Sequence, residues 1–385
     1  MPGTLYSRSL TAPSSSFFLL GVRGVGKSTW VRRALPKAVR FDLLDESLYQ
    51  DLLLQPAAFG GMIESLPRGA WVVVDEVQRL PNLLNEVHRR IADRGLRFAL
   101  LGSSARKLKS GGSNLLAGRA LWKTLFPLLP HELGRDFDLR RVLEIGSIPI
   151  VWTASDPVAT LESYVQLYLR EEIRAEALVR NLPGFARFLP IAALFHGQAI
   201  NVSSIARDAA AARTTVSGYL DILEETLLVH RLPAYETKLR VRERRLPKLY
   251  WVDPGIVRAA KRQLGAVSLE EAGALFEGYV LTMLRAYGEK SRLFEELSFW
   301  SPHQSAVEVD FLLRRGREFL AIEVKAASRF SPSMLQGLRA IDELPKVVRR
   351  ILIYRGSRRL KTEEGIDVWP IGDLSAALET NRLWP

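Results

Sequence analysis

Two groups of residues in this 385-residue chain have types and spacing that could do chemistry. The first is Gly21-Val22-Arg23-Gly24-Val25-Gly26-Lys27-Ser28-Thr29, a G-x-x-x-x-G-K-[ST] motif. It follows the apolar run Phe17–Leu20 and precedes a helix-like stretch stopped by Pro36. Gly21, Gly24 and Gly26 would let backbone N–H groups, that of Val25 included, curl around phosphate. Lys27 would reach the β- and γ-phosphates, Ser28 would hold Mg²⁺, and Thr29 completes the motif.

Trp71–Val74 reads as a strand closing on Asp75 and Glu76. Asp75 is the expected second holder of the Mg²⁺ shell, and Glu76 the expected base for an attacking water. A third strand, Arg97–Leu101, runs into Gly102-Ser103-Ser104, where Ser103 could sense the γ-phosphate or the water. The adjoining glutamate favours hydrolysis, and with no Asn-Lys-x-Asp guanine reader the expected nucleotide is ATP. Arg119 is a candidate to complete the site of a neighbouring copy in a homo-oligomer, or is a surface arginine.

The second group lies near the C-terminus. Val307–Leu313 and Phe319–Lys325 read as a hairpin turning at Gly316. Glu323 and Lys325, two apart, share one face of their strand, and Asp310 can share it from the neighbouring strand. Asp310, Glu323 and the Val324 carbonyl would cage a hard cation, Glu277 from a preceding helix would complete the cage, and Lys325 would orient or activate water; the alternative is an inter-strand ion pair.

The elements that must position these residues alternate strand and helix at the start, which implies a parallel α/β sheet with ligand at the strands' carboxyl ends. In the middle, Val202–Asp208 and Arg213–Leu223 read as a helix-turn-helix, with Leu227–Val229 and Lys248–Val252 as strands of a wing. Such a second helix would offer Arg213, Thr214, Thr215 and Ser217 to a DNA major groove, with Arg240, Arg242, Arg244 and Arg245 in or beside the wing. Before it, an apolar stripe from Leu161 to Ile173 reads as one helix, and Pro183, Gly184 and Pro190 as its punctuation.

Composition sharpens the partner. There are 54 Lys and Arg against 42 Asp and Glu, a net charge of +12, which favours a polyanion. The excess is local: residues 236–262 hold nine basic and three acidic side chains, and residues 346–361 hold seven basic and no acidic ones. With no cysteine there is no disulfide framework or thiol nucleophile. No apolar run approaches a membrane span and no leader is legible, so a cytoplasmic protein without a membrane partner is expected.

Glu277, Asp310, Glu323 and Lys325 stand where the PD-(D/E)XK nuclease superfamily carries its motif, in the same helix–hairpin order. The whole chain resembles a prokaryotic family of AAA-type P-loop ATPases with a winged-helix middle region and a C-terminal PD-(D/E)XK nuclease-like domain. The resemblance rests on Gly21 to Thr29, Trp71 to Glu76, Leu101 to Ser104 with Leu116 to Arg119, Lys248 to Gly255, and Glu308-Val309-Asp310 with Glu323-Val324-Lys325. It implies four domains: an AAA/ASCE-type P-loop ATPase at 1–135, a helical lid or linker at 136–195, a winged helix-turn-helix at 196–254 and a restriction-endonuclease-like α/β domain at 255–385. The expected function is a DNA-interacting ATPase that remodels or translocates on duplex or branched DNA, with or without metal-dependent cleavage. The rival is a nucleotide-dependent switch whose C-terminal domains make protein contacts.

Overall fold

The computed structural model describes residues 5–104, 116–168, 182–236, 246–302 and 307–385. The chain divides into two compact units, residues 1–127 with 221–228, and residues 128–220 with 229–385.

The first unit is built on a five-stranded parallel sheet. Its strands are β1 (Phe17–Leu20), β2 (Val39–Asp42), β3 (Trp71–Asp75), β4 (Arg97–Gly102) and β5 (Leu121–Thr124), in the order β2-β3-β4-β1-β5. β1, β3 and β4 are continuous apolar runs because helices cover both faces of a parallel sheet. Phe18, Val72, Val74, Phe98 and Leu100 are buried in one core with Leu52, Phe59 and Val87. Edge strands β2 and β5, each four residues with charged or polar members, escaped the sequence reading.

The second unit carries two sheets. The smaller has the order β6-β8-β7, formed by β6 (Gln198–Ala199), β7 (Val229–Leu232) and β8 (Lys248–Trp251), with β8 antiparallel to both neighbours. The expected helix pair is present as Val202–Asp208, capped by Asn201, and Arg213–Glu225, joined by a turn in which Ala210 takes φ 49°. Upstream, the helix Pro157–Ser163 passes into a π-helical turn at Tyr164–Tyr168, and the rest of the expected stripe lies outside the described residues. Pro190 does not end a helix, for Leu182–Leu194 runs through it.

The larger sheet has six strands in the order β13-β14-β12-β11-β10-β9. They are β9 (Glu296–Trp300), β10 (Val309–Arg315), β11 (Glu318–Lys325), β12 (Val347–Tyr354), β13 (Leu360–Lys361) and β14 (Asp367–Pro370). β10 and β11 form the expected hairpin, turning at Gly316 with φ 59°. β11, β12 and β14 are parallel neighbours. The 23-residue helix Leu269–Ser291 packs on β11 and brings Glu277 to the hairpin.

Candidate functional site

The phosphate-loop geometry follows from three glycines. The chain leaves buried β1 at Gly21, where a Cβ would stand 2.5 Å from the Leu125 carbonyl oxygen, so only glycine fits. Gly24 and Gly26 take φ 72° and 94°, a left-handed backbone that costs glycine little. Gly26 leads into the helix Lys27–Ala34, and the N–H groups of a helix's first turn point outward from its start, here toward the loop. Within the loop Val25 is buried, and Thr29 is exposed.

Lys27 folds back over this loop, its Nζ donating to the Gly21 carbonyl at 2.7 Å. Ser28 Oγ donates to Asp75 Oδ2 at 2.5 Å, so the two expected Mg²⁺ holders, 47 residues apart in sequence, are in contact. A hydroxyl beside a carboxylate is an oxygen donor set that suits a hard cation, and the residues fit the ion. Asp75 Oδ1 also accepts the Glu76 N–H at 3.0 Å.

Because β4 lies between β1 and β3, Ser103 ends up between the loop and the two carboxylates. Glu76 has φ 55° and ψ 40°, a left-handed conformation rare for a side chain of its length. Gln78, which the sequence reading passed over, is buried and donates through Nε2 to Glu76 Oε2 at 2.6 Å and to Ser103 Oγ at 3.1 Å. Arg8 was passed over as well. Its guanidinium reaches the Val25 carbonyl at 2.8 Å and the Phe126 carbonyl, fastening the N-terminal segment to the loop. No signal in the sequence marks either residue. Arg119 is exposed and its guanidinium meets the His88 ring of its own chain.

The second group also converges. Asp310 and Glu323 are buried on adjacent strands, and Asp310 Oδ2 accepts the Val324 N–H at 2.8 Å. Glu277 accepts the Tyr250 hydroxyl, and Glu323 pairs with Lys325. A further residue enters from β8: Lys248 Nζ lies 2.8 Å from Glu308, 3.5 Å from Glu277 and 3.8 Å from Asp310. Burial pushes Glu277 and Glu323 up to about 8, with the Asp310 charge adding to both, while Lys248 pulls Glu277 and Lys325 pulls Glu323 back. Burial also raises Asp310, against the pull of Lys248 and Lys325. Burial would lower the Lys248 ammonium, but Glu277, Asp310 and Glu308 outweigh it and hold it above its ordinary value.

Comparison with known families divides the chain three ways. Residues 14–134 match the family model of an AAA domain. Residues 136–267 and 272–374 match models described as domains of unknown function, DUF8612 and DUF4143. The chain is similar to two mycobacterial proteins, "Uncharacterized protein Rv2008c" of Mycobacterium tuberculosis and "Uncharacterized protein Mb2031c" of Mycobacterium bovis. Each is 28% identical over 367 residues, covering 91% of this chain and 79% of the relative. Among solved structures, the Aeropyrum pernix ORC1 protein in complex with DNA shares 14% identity at a TM-score of 0.26, covering 64% of this chain and 86% of that one. Protein VC1899 from Vibrio cholerae shares 14% identity at 0.24, covering 96% and 97%.

Outside residues 14–134, the residues expected to meet DNA are placed unevenly. Arg213 and Thr214 are exposed at the start of their helix, and Thr215 and Ser217 are half-buried. Arg240, Arg242, Arg244 and Arg245 lie outside the described residues. In the basic stretch 346–361, Arg349 pairs with Asp367 at 2.8 Å, Arg350 with Asp342 at 2.7 Å and Arg359 with Asp373 at 3.7 Å. These partners lie just beyond the stretch in sequence, so its seven positive charges are partly met from within. Among the described residues no helix is long and apolar enough to cross a membrane.

Proposed function

We propose that this chain hydrolyses ATP at the site formed by Lys27, Ser28, Asp75, Glu76 and Ser103, and that DNA bound through the Arg213 helix sets the rate. The observation that carries the ATPase reading is the Ser28–Asp75 contact beside the glycine loop, with Glu76 one residue further on. Mg²⁺ held by Ser28 and Asp75 would neutralise charge on the β- and γ-phosphates. Lys27 would exchange the Gly21 carbonyl for a phosphate oxygen. The N–H groups of the first turn of the Lys27–Ala34 helix would bind phosphate charge, and Glu76 would take a proton from water. Support for DNA comes from the net charge of +12 and the exposed Arg213 and Thr214. Remodelling of or movement along DNA, and assembly into a homo-oligomer with Arg119 reaching a neighbour's site, belong to the same reading.

ATP turnover measured with and without duplex, branched and single-stranded DNA tests it. Turnover should rise with one of these DNAs and disappear in Lys27→Ala. ATP turnover that no DNA alters, together with nucleotide-dependent assembly, would favour the switch reading instead.

A further inference from the structure

The carboxylate cluster of the second unit raises a question of its own, independent of the ATPase reading. Glu277, Asp310 and Glu323 were expected to hold a divalent cation, and they do not fit one, because a cation of the chain already stands among them. The Lys248 ammonium lies within 4 Å of three carboxylates, at 2.8, 3.5 and 3.8 Å from Glu308, Glu277 and Asp310. An ammonium has three N–H donors, and three carboxylates occupy its surroundings. It also lies 5.3 Å from the centre of the Phe299 ring, whose face favours a positive charge.

Several of the carboxylate oxygens are also committed elsewhere. Asp310 Oδ2 takes the Val324 N–H, Glu277 takes the Tyr250 hydroxyl, and Glu323 Oε1 takes the Lys325 ammonium. Glu323 Oε2 is buried without a partner and faces Gly337, where a Cβ would be 3.3 Å away. Mg²⁺ requires several oxygens converging at roughly 2.1 Å, in near-octahedral order. With Lys248 in place, the described residues offer no group of three His, Asp or Glu side chains that could hold a metal ion.

Lys248 cannot simply step aside. It is 4% exposed, and its backbone is in β8, the central strand of the smaller sheet. A dication entering beside it would have to share the same carboxylates with a buried positive charge a few ångströms away.

We infer that Lys248 is a built-in cation that takes the place of a metal among Glu277, Glu308 and Asp310, making the cluster a metal-free ionic clasp between β8 and the β10–β11 hairpin. The site is then closed to divalent ions.

Manganese bound by the full chain without nucleotide, measured by electron paramagnetic resonance, tests this. The wild type and Asp310→Asn should bind equal amounts of Mn²⁺. Lys248→Met, which keeps the stem and removes the charge, should gain one ion per chain, lost again on adding Asp310→Asn. Glu308 is 42% exposed, so Glu308→Gln replaces Asp310→Asn in both comparisons if the latter does not fold. The inference is overturned if either carboxyl substitution lowers the Mn²⁺ held by the wild type. It is also overturned by a folded Lys248→Met that gains no ion. If Lys248→Met does not fold, the wild-type comparison decides alone.

Discussion

Gln78 Nε2 donates to Ser103 Oγ at 3.1 Å, tying the turn after β3 to the end of β4. The same nitrogen reaches Glu76 Oε2 at 2.6 Å, so one amide holds both the proposed base and the hydroxyl beside it. Gly102 makes room, since a Cβ there would stand 2.6 Å from Gln78 Oε1. Gln78→Met keeps the volume and removes the donor. The outcome expected is a kcat for ATP lower by about tenfold, about 1.4 kcal/mol of barrier. KM should stay within about twofold, because no P-loop hydrogen bond of Gln78 is among those described. A fall in affinity with kcat unchanged would refute the positioning role.

Glu76→Gln separates binding from turnover. Losing a general base typically costs about 10²–10⁴ in rate. The variant should therefore bind a fluorescent ATP analogue as the wild type does while turnover falls by at least about a hundredfold. Lys27→Ala should lose the analogue as well. If Glu76→Gln retains most of its turnover, the base lies elsewhere.

The P-loop was legible because a strand, a glycine turn and a helix start are local in sequence, and so were the buried strands β1, β3 and β4. Residues whose roles depend on distant partners were not. Lys248 reads as one more positive charge of a basic stretch until the fold sets it against Glu308, 60 residues away. In the same way the stretch 346–361 contains no acid, yet Asp342, Asp367 and Asp373 meet three of its arginines. Gln78 carries no charge or periodicity to mark it.

Those pairings give opposite expectations for two arginines. Arg213 is exposed, so Arg213→Ala should weaken DNA binding and lower the salt dependence of log K by about 1. Arg349 also donates to the Leu383 carbonyl at 3.0 Å and lies 4.6 Å from the Trp369 ring centre. Arg349→Ala should leave DNA affinity in place and cost about 2 kcal/mol of stability, the usual loss for a hydrogen bond to a charged group. Fluorescence anisotropy across salt concentrations and urea unfolding read the two effects. The reverse pattern would put DNA on the C-terminal sheet instead.

Acid should destabilise the second unit through His196. The ring is 4% exposed, Nδ1 accepts the Trp251 N–H at 3.0 Å, and the other side lies against Gly278, where a Cβ would be 2.4 Å from Nε2. Tyr250 packs edge-on at 5.8 Å between ring centres. Burial, then the Lys261 charge, push the imidazole down to about 3. An unfolded histidine titrates near 6.5, so between about pH 3 and 6.5 the unfolded chain holds a proton that the native one refuses. Stability from this group is therefore complete above about 6.5 and is lost as pH falls. By pH 5 the loss is about 2 kcal/mol, from about 1.5 units at about 1.4 kcal/mol each. His196→Asn offers an acceptor to the Trp251 N–H without a titrating group. Groups shared by both proteins, His230 among them, cancel in the comparison. Thermal midpoints of wild type and variant at pH 7.5 and pH 5.0 should show the wild type losing more on acidification. Equal losses would mean that His196 takes up its proton without disturbing the fold.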